Sequence, residues 1–134
     1  MTFLRSLTVA VPMVNLAATL FLTGLAWSLQ VVQLPILRTD QLAAHRRRNS
    51  LLMIVPMTIE IYSALWLAFL DQRWPPRIAA FLCAVIGFAT VRYSQASQRE
   101  NLSALKLWNA IRTASWSFRS VLLIGYLLES RNAR

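Results

Sequence analysis

Residues 6–37 read SLTVAVPMVNLAATLFLTGLAWSLQVVQLPIL, 32 consecutive positions without a charged side chain. A helix needs about 20 mostly apolar residues to cross a hydrocarbon core of about 30 Å, so this run alone is long enough for a membrane span. It is too long for the apolar part of a signal peptide, and no small-x-small cleavage pattern precedes a polar continuation. The segment is therefore expected to be retained. The rest of the chain agrees in character. Of 134 residues, 57% fall in the hydrophobic set, only 3 are Gly, and the mean hydropathy is +0.49. Ordinary soluble domains are about 45–50% apolar.

Fourteen Lys and Arg oppose five Asp and Glu, a formal net charge of +9. In a polar protein that balance suggests nucleic acid. Here the cations stand at the edges of long apolar runs, where they meet headgroups and set topology, and no basic solvated face is left for a nucleic-acid partner. One cysteine, Cys83, and one histidine, His45, exclude a disulfide framework and a structural zinc site.

Charges mark the expected ends of the other segments. A basic link, residues 38–48, follows Pro35. A second span lies between Arg48 and Asp71, 22 positions with Glu60 as their one charge and Pro56 inside. A turn containing Trp74, Pro75 and Pro76 separates it from a third segment with 14 uncharged positions, residues 78–91. That is about 21 Å of helix, which crosses only if Arg77 and Arg92 snorkel and Trp74 and Tyr93 sit at the headgroup levels. The fourth segment carries Arg112 and Arg119, so it either buries them in a bundle or lies partly on the surface.

Polar stripes favour the bundle. Asn15, Thr19, Thr23, Trp27 and Gln30 share one helical face, as do Cys83, Gly87, Thr90 and Ser94. Pro56, Glu60, Ser63 and Ala64 form a third stripe, and Trp108, Arg112, Trp116 and Arg119 a fourth. In lipid, small and polar stripes turn toward one another. The expected fold is all-α, a four-transmembrane-helix bundle and a single membrane domain, with helices near residues 7–33, 50–70, 75–95 and 102–128. The outward faces then keep Phe3, Trp66, Phe81 and Phe88.

Glu60 and Arg119 reach similar depth when counted inward from the same side. An unpaired charge at mid-membrane costs from about 2.5 to over 10 kcal/mol, so the two are expected to form an intramembrane ion pair. Such a pair serves either as a proton-carrying or anion-binding site or as a register-fixing contact. Gln30, Gln33, His45, Asn109 and Arg112, with Trp116 stacked beside Arg112, form a second polar cluster near the first link. It would either receive a quinone, lipid or haem edge or simply face headgroups. No catalytic residue and no metal site is predicted.

The stretches WSLQVVQLPIL (27–37), HRRRNSLLMIVPMTIE (45–60) and NAIRTASWSFR (109–119) resemble an uncharacterised family of small bacterial four-helix membrane proteins. The resemblance covers most of the chain and implies a fold without an assigned reaction. The family pattern places a His where Gln33 stands, and a Pro and further His after the third helix; this chain lacks those histidines.

The expected role is a non-catalytic accessory subunit of a larger membrane complex, respiratory or photosynthetic. Its expected partners are other integral membrane subunits and anionic lipids. No cofactor of its own is predicted, and any haem, quinone or pigment contact would come through partners. The alternative is a small redox or transport protein that binds a quinone, haem or anion through the Glu, Arg and His cluster. With four spans, one side holds Arg38, Arg46, Arg47, Arg48, Arg92, Arg99 and Lys106, and the other Arg5, Arg73, Arg77, Arg131 and Arg134. The positive-inside tendency puts the first set in the cytoplasm of a bacterial inner membrane and both termini outside.

Overall fold

The computed structural model describes residues 2–132, with the side chains of residues 2–5 and of Thr8 outside the description. The side chains of Phe3 and Arg5, and all of Arg134, thus lie outside the described parts. Among the described residues there is no strand. The order is α1 (Thr2–Ser28), a π-helical turn (Leu29–Gln33), a short α2 (Leu34–Ile36), a 3-10 turn (Thr39–Gln41), α3 (Leu42–Leu70), α4 (Trp74–Gln98) and α5 (Leu102–Asn132).

Proline chemistry explains the end of the first run. Pro35 has no N–H to give the Val31 carbonyl, and its ring crowds that carbonyl. The chain widens just upstream, where the Leu34 N–H bonds the Leu29 carbonyl, five residues back. Leu37 then turns extended at φ −70° and ψ 127°. Gln30 and Gln33 both stand on this widened turn.

The basic link is shorter than the charges suggest. Only residues 38–41 leave the helix, tied by an exposed Arg38–Asp40 pair at 3.4 Å, and α3 begins at Leu42 rather than near residue 50. Charge does not break a helix. Leu, Ala and Arg are strong helix formers, and no Gly or Pro occurs between Leu42 and Pro56, so His45 to Arg48 continue as helix. Pro75 and Pro76 occupy the first turn of α4, where a missing N–H leaves no bond unmade.

Three residues join α4 to α5. Glu100 adopts a left-handed φ of 54°, the Asn101 N–H bonds the Ala96 carbonyl at 3.0 Å, and the Glu100 N–H bonds Ser97 at 3.3 Å. This is a Schellman closure with Glu in the place glycine favours. Asn101 at once caps the next helix, its Oδ1 accepting the Ala104 N–H at 3.0 Å.

α1 packs on α3 and α5, and α4 on α3 and α5, which closes a four-helix ring. Three apolar layers fill it. Leu34, Leu42, Tyr93, Ala96 and Leu105 lie toward the link end. Leu22, Ala26, Leu29, Met53, Ile86 and Trp116 lie in the middle, and Leu67, Ala79, Leu123 and Tyr126 at the far end. The surface is apolar too, with Phe21, Phe69, Phe81, Phe88, Phe118 and Val121 all more than half exposed. Three segments, Val9–Ile36, Thr39–Leu70 and Trp74–Gln98, are long and apolar enough to cross a membrane. The 31 residues of α5 match them in length but carry Lys106, Arg112, Arg119, Glu129 and Arg131.

Candidate functional site

All four long helices contribute to one buried polar centre. α3 delivers Glu60, α1 delivers Asn15 and Thr19 one turn apart, α5 delivers Trp116 and Arg119, and α4 offers the Ala79 carbonyl. Arg119 Nε lies 3.0 Å from Glu60 Oε1, with both side chains 2% exposed or less. Thr19 Oγ1 donates to the same oxygen at 2.9 Å, and Trp116 Nε1 donates to Oε2 at 3.0 Å. The rest of the guanidinium is also bonded: Nη2 reaches Asn15 Oδ1 at 2.6 Å, and Nη1 donates to the Ala79 carbonyl. Asn15 Nδ2 in turn donates to the Glu60 carbonyl at 3.0 Å and to Ser63 Oγ at 2.7 Å. A buried ion pair survives loss of water only when its remaining donors and acceptors are met in this way. Thr19 has one proton and a second acceptor, the Asn15 carbonyl, also at 2.9 Å, so its hydroxyl is shared between helix backbone and carboxylate.

One turn before Trp116, Arg112 is held differently. It is 1% exposed, yet among the described residues it pairs with no carboxylate. Its guanidinium carbon lies 4.7 Å from the Tyr93 ring centroid and 5.1 Å from that of Trp116. Nη2 meets Met53 Sδ at 2.8 Å, and Nε has no hydrogen-bond acceptor among the described residues. Two ring faces and a polarisable sulfur thus take the place of a counterion. Trp116 works in both directions, its N–H on Glu60 and its face on Arg112.

Of the six residues expected to cluster near the first link, the structure brings Gln30 to Asn109 and Arg112 to Trp116, with Arg112 in the bundle interior. His45 Nε2 meets Tyr93 Oη at 3.1 Å, so it touches Arg112 only through the tyrosine. Asn109 Nδ2 bonds Gln30 Oε1 at 2.8 Å and the Ala26 carbonyl at 3.3 Å, while its Oδ1 has no partner among the described residues. Gln33 is partly buried on the π-helical turn and takes no part in these contacts. Sequence reading gave Tyr93 only a place at the headgroup level and missed its contacts: it is buried within the bundle and links His45 to Arg112. The signal was available in its position, since the expected anchor falls on the same face of α4 as Ile86 and Ala89. Asn15 and Thr19 were legible as a stripe but not as partners of the ion pair.

At the opposite end, the α3–α4 loop holds a second charged contact. Arg73 Nη2 lies 2.7 Å from Asp71 Oδ2, Tyr126 Oη donates to that oxygen at 2.7 Å, and Arg73 covers the Tyr126 ring at 5.1 Å. Hydrogen bonds from the Arg73 side chain hold the Asp71 carboxyl down at about 2, against an opposing push from partial burial. Asp71 in return raises Arg73 above the usual guanidinium value.

Among the described residues no three His, Cys, Asp or Glu side chains come together to hold a metal. No family model, curated protein or solved structure matches the chain.

Proposed function

We propose that this chain is a four-span integral membrane bundle acting as a non-catalytic subunit of a larger membrane complex. One observation carries the reading. The Glu60–Arg119 centre spends its carboxylate oxygens and guanidinium nitrogens on bonds within the bundle, while the apolar exterior is left unpartnered. Such a centre ties four helices together and offers no free group to a substrate. α5 joins as the fourth span because its two mid-helix arginines are turned inward, leaving Leu107, Phe118, Val121, Ile124 and Leu128 outward. The outer surface then suits other integral membrane subunits, and the flanking arginines suit anionic lipid. The resemblance to small bacterial four-helix membrane proteins supports an inner-membrane setting, and the excess of cations on the links after the first and third spans supports placing those links inside and the termini outside. Deleting the protein is expected to lower the yield of one specific complex, read by native electrophoresis of solubilised membranes, while turnover per intact complex stays nearly unchanged. Full recovery of all complexes without the chain overturns the proposal.

A second reading draws on Arg112. A buried cation without a carboxylate is the feature that an anion or quinone site would use, and it keeps redox or transport function as the alternative. Under that reading Arg112→Gln or Glu60→Gln abolishes a transport or electron-transfer activity while complexes assemble normally.

A further inference from the structure

Away from the Glu60 centre, the far end of the bundle carries a concavity of about 650 Å³ between α1, α3 and α5. That volume lies within the range of about 300–1,000 Å³ typical of small-molecule sites. The floor is apolar, built from Pro12 and Met13 of α1, Leu67 of α3 and Leu127 of α5. The lip is cationic, with Arg73 of the α3–α4 loop and Arg131 near the end of α5.

The lip is preformed. Asp71, fixed by Tyr126, occupies Nε and Nη2 of Arg73, and Ser130 Oγ accepts from Nη2 at 3.3 Å. Nη1 of Arg73 has no acceptor among the described residues, and Arg131 forms no ion pair among them. Two cations thus face one carboxylate that is already spent. The apolar floor lies on the helix side of the lip and the charges lie at the loop level. In a membrane-spanning bundle that order matches one amphiphile: an acyl chain below and an anionic head at the interface.

We propose that this cavity binds a single anionic phospholipid, one acyl chain on the apolar floor and the phosphodiester on Arg73 and Arg131. A zwitterionic lipid is disfavoured because its ammonium would meet two guanidiniums, and Asp71, the carboxylate among the described residues that line the cavity, is already bonded to Arg73. The proposal rests on the membrane-spanning reading and adds a site to it.

The test uses the purified full chain in mild detergent, titrated with phosphatidylglycerol and with phosphatidylcholine of the same acyl chains and followed by native mass spectrometry. One phosphatidylglycerol is expected to be retained with a preference of about tenfold, in keeping with one or two basic contacts at a membrane surface. Arg131→Gln, which removes no hydrogen bond or ion pair among the described residues, is expected to cut that preference, and Arg73→Gln with Arg131→Gln to abolish it. Met13→Trp fills the floor without touching the charges and is expected to lower retention of both lipids. Because Arg73 also holds Asp71, far-UV circular dichroism checks the fold of the double variant, and Arg131→Gln with Met13→Trp decide the matter if it unfolds. Equal retention of the two lipids, an unchanged preference in Arg131→Gln, or equal thermal stabilisation by inorganic phosphate alone overturns the site. Alkaline extraction of membranes separates the two levels. A chain released by carbonate refutes the membrane-spanning reading, whereas a chain that stays but lacks selectivity refutes the lipid site alone.

Discussion

Two side chains, Glu60 and Arg119, decide more about this molecule than any others. Replacing Glu60 by Gln, or Arg119 by Leu, leaves one buried charge without its partner. Each is expected to destabilise the bundle by about 3–5 kcal/mol in detergent unfolding. The double replacement is expected to recover part of that loss, since both charges vanish, but not all of it, because Asn15 Oδ1 and the Ala79 carbonyl still lose their donor. Strictly additive losses in the cycle would show that the pair carries no coupling. Asp71 gives a pH-dependent counterpart. Its folded carboxyl sits at about 2 against an ordinary 3.8. Its contribution to stability is therefore complete above the ordinary value and drains away as pH falls through that interval. Thermal unfolding followed from pH 5 downward is expected to lose less stability in Asp71→Asn than in the wild-type chain. Equal losses would show that the Arg73 contact does not act through the charge.

Helix ends show how local chemistry acts on whole elements. Glu100 holds a left-handed φ of 54°, a conformation that costs a side-chain-bearing residue about 1 kcal/mol or more. Glu100→Gly is expected to keep or raise the unfolding temperature. Asn101→Ala removes the cap on Ala104 and is expected to cost about 1 kcal/mol. Chemical denaturation of the two variants checks both signs, and a destabilising Glu100→Gly would mean that the Glu side chain contributes something beyond the turn. The same scale explains where sequence reading of element bounds departed from the structure. Pro35 marked the end of the first run, and Pro75 and Pro76 the start of α4, because their effect on the backbone is local. The charges of residues 42–48 misled because charge reports where water begins, not where helix ends.

For the whole molecule, topology is the accessible measurement. Reporter fusions after Arg134 and in the turn at residues 99–101 are expected to report opposite sides, the turn cytoplasmic and the C-terminus outside. Reversed signals overturn the orientation, and signals from the same side overturn α5 as a span and with it the four-span count. The second outcome bears on α5, whose buried Arg112 and Arg119 would then need another explanation.

Sequence alone determined the helical, lipid-compatible character of the chain, because length, hydropathy and proline placement are local properties. It also placed Glu60 and Arg119 at comparable depth. The stripes led by Asn15 and Thr19, by Glu60 and Ala64, and by Arg112, Trp116 and Arg119 do turn inward, but the face of α4 was a different matter. Cys83, Gly87, Thr90 and Ser94 share a face of α4 and are only half-buried, whereas the fully buried face runs through Ala79, Ile86, Ala89, Tyr93 and Ser97. In a helix that is apolar all round, hydrophobicity does not distinguish neighbour from surroundings. Packing against α5 does, since Arg119 takes the Ala79 carbonyl and Arg112 the Tyr93 ring. Those partners come from separate helices, so only the assembled bundle selects the face of α4, the sharing of Trp116 between Glu60 and Arg112, and the cavity lipped by Arg73 and Arg131.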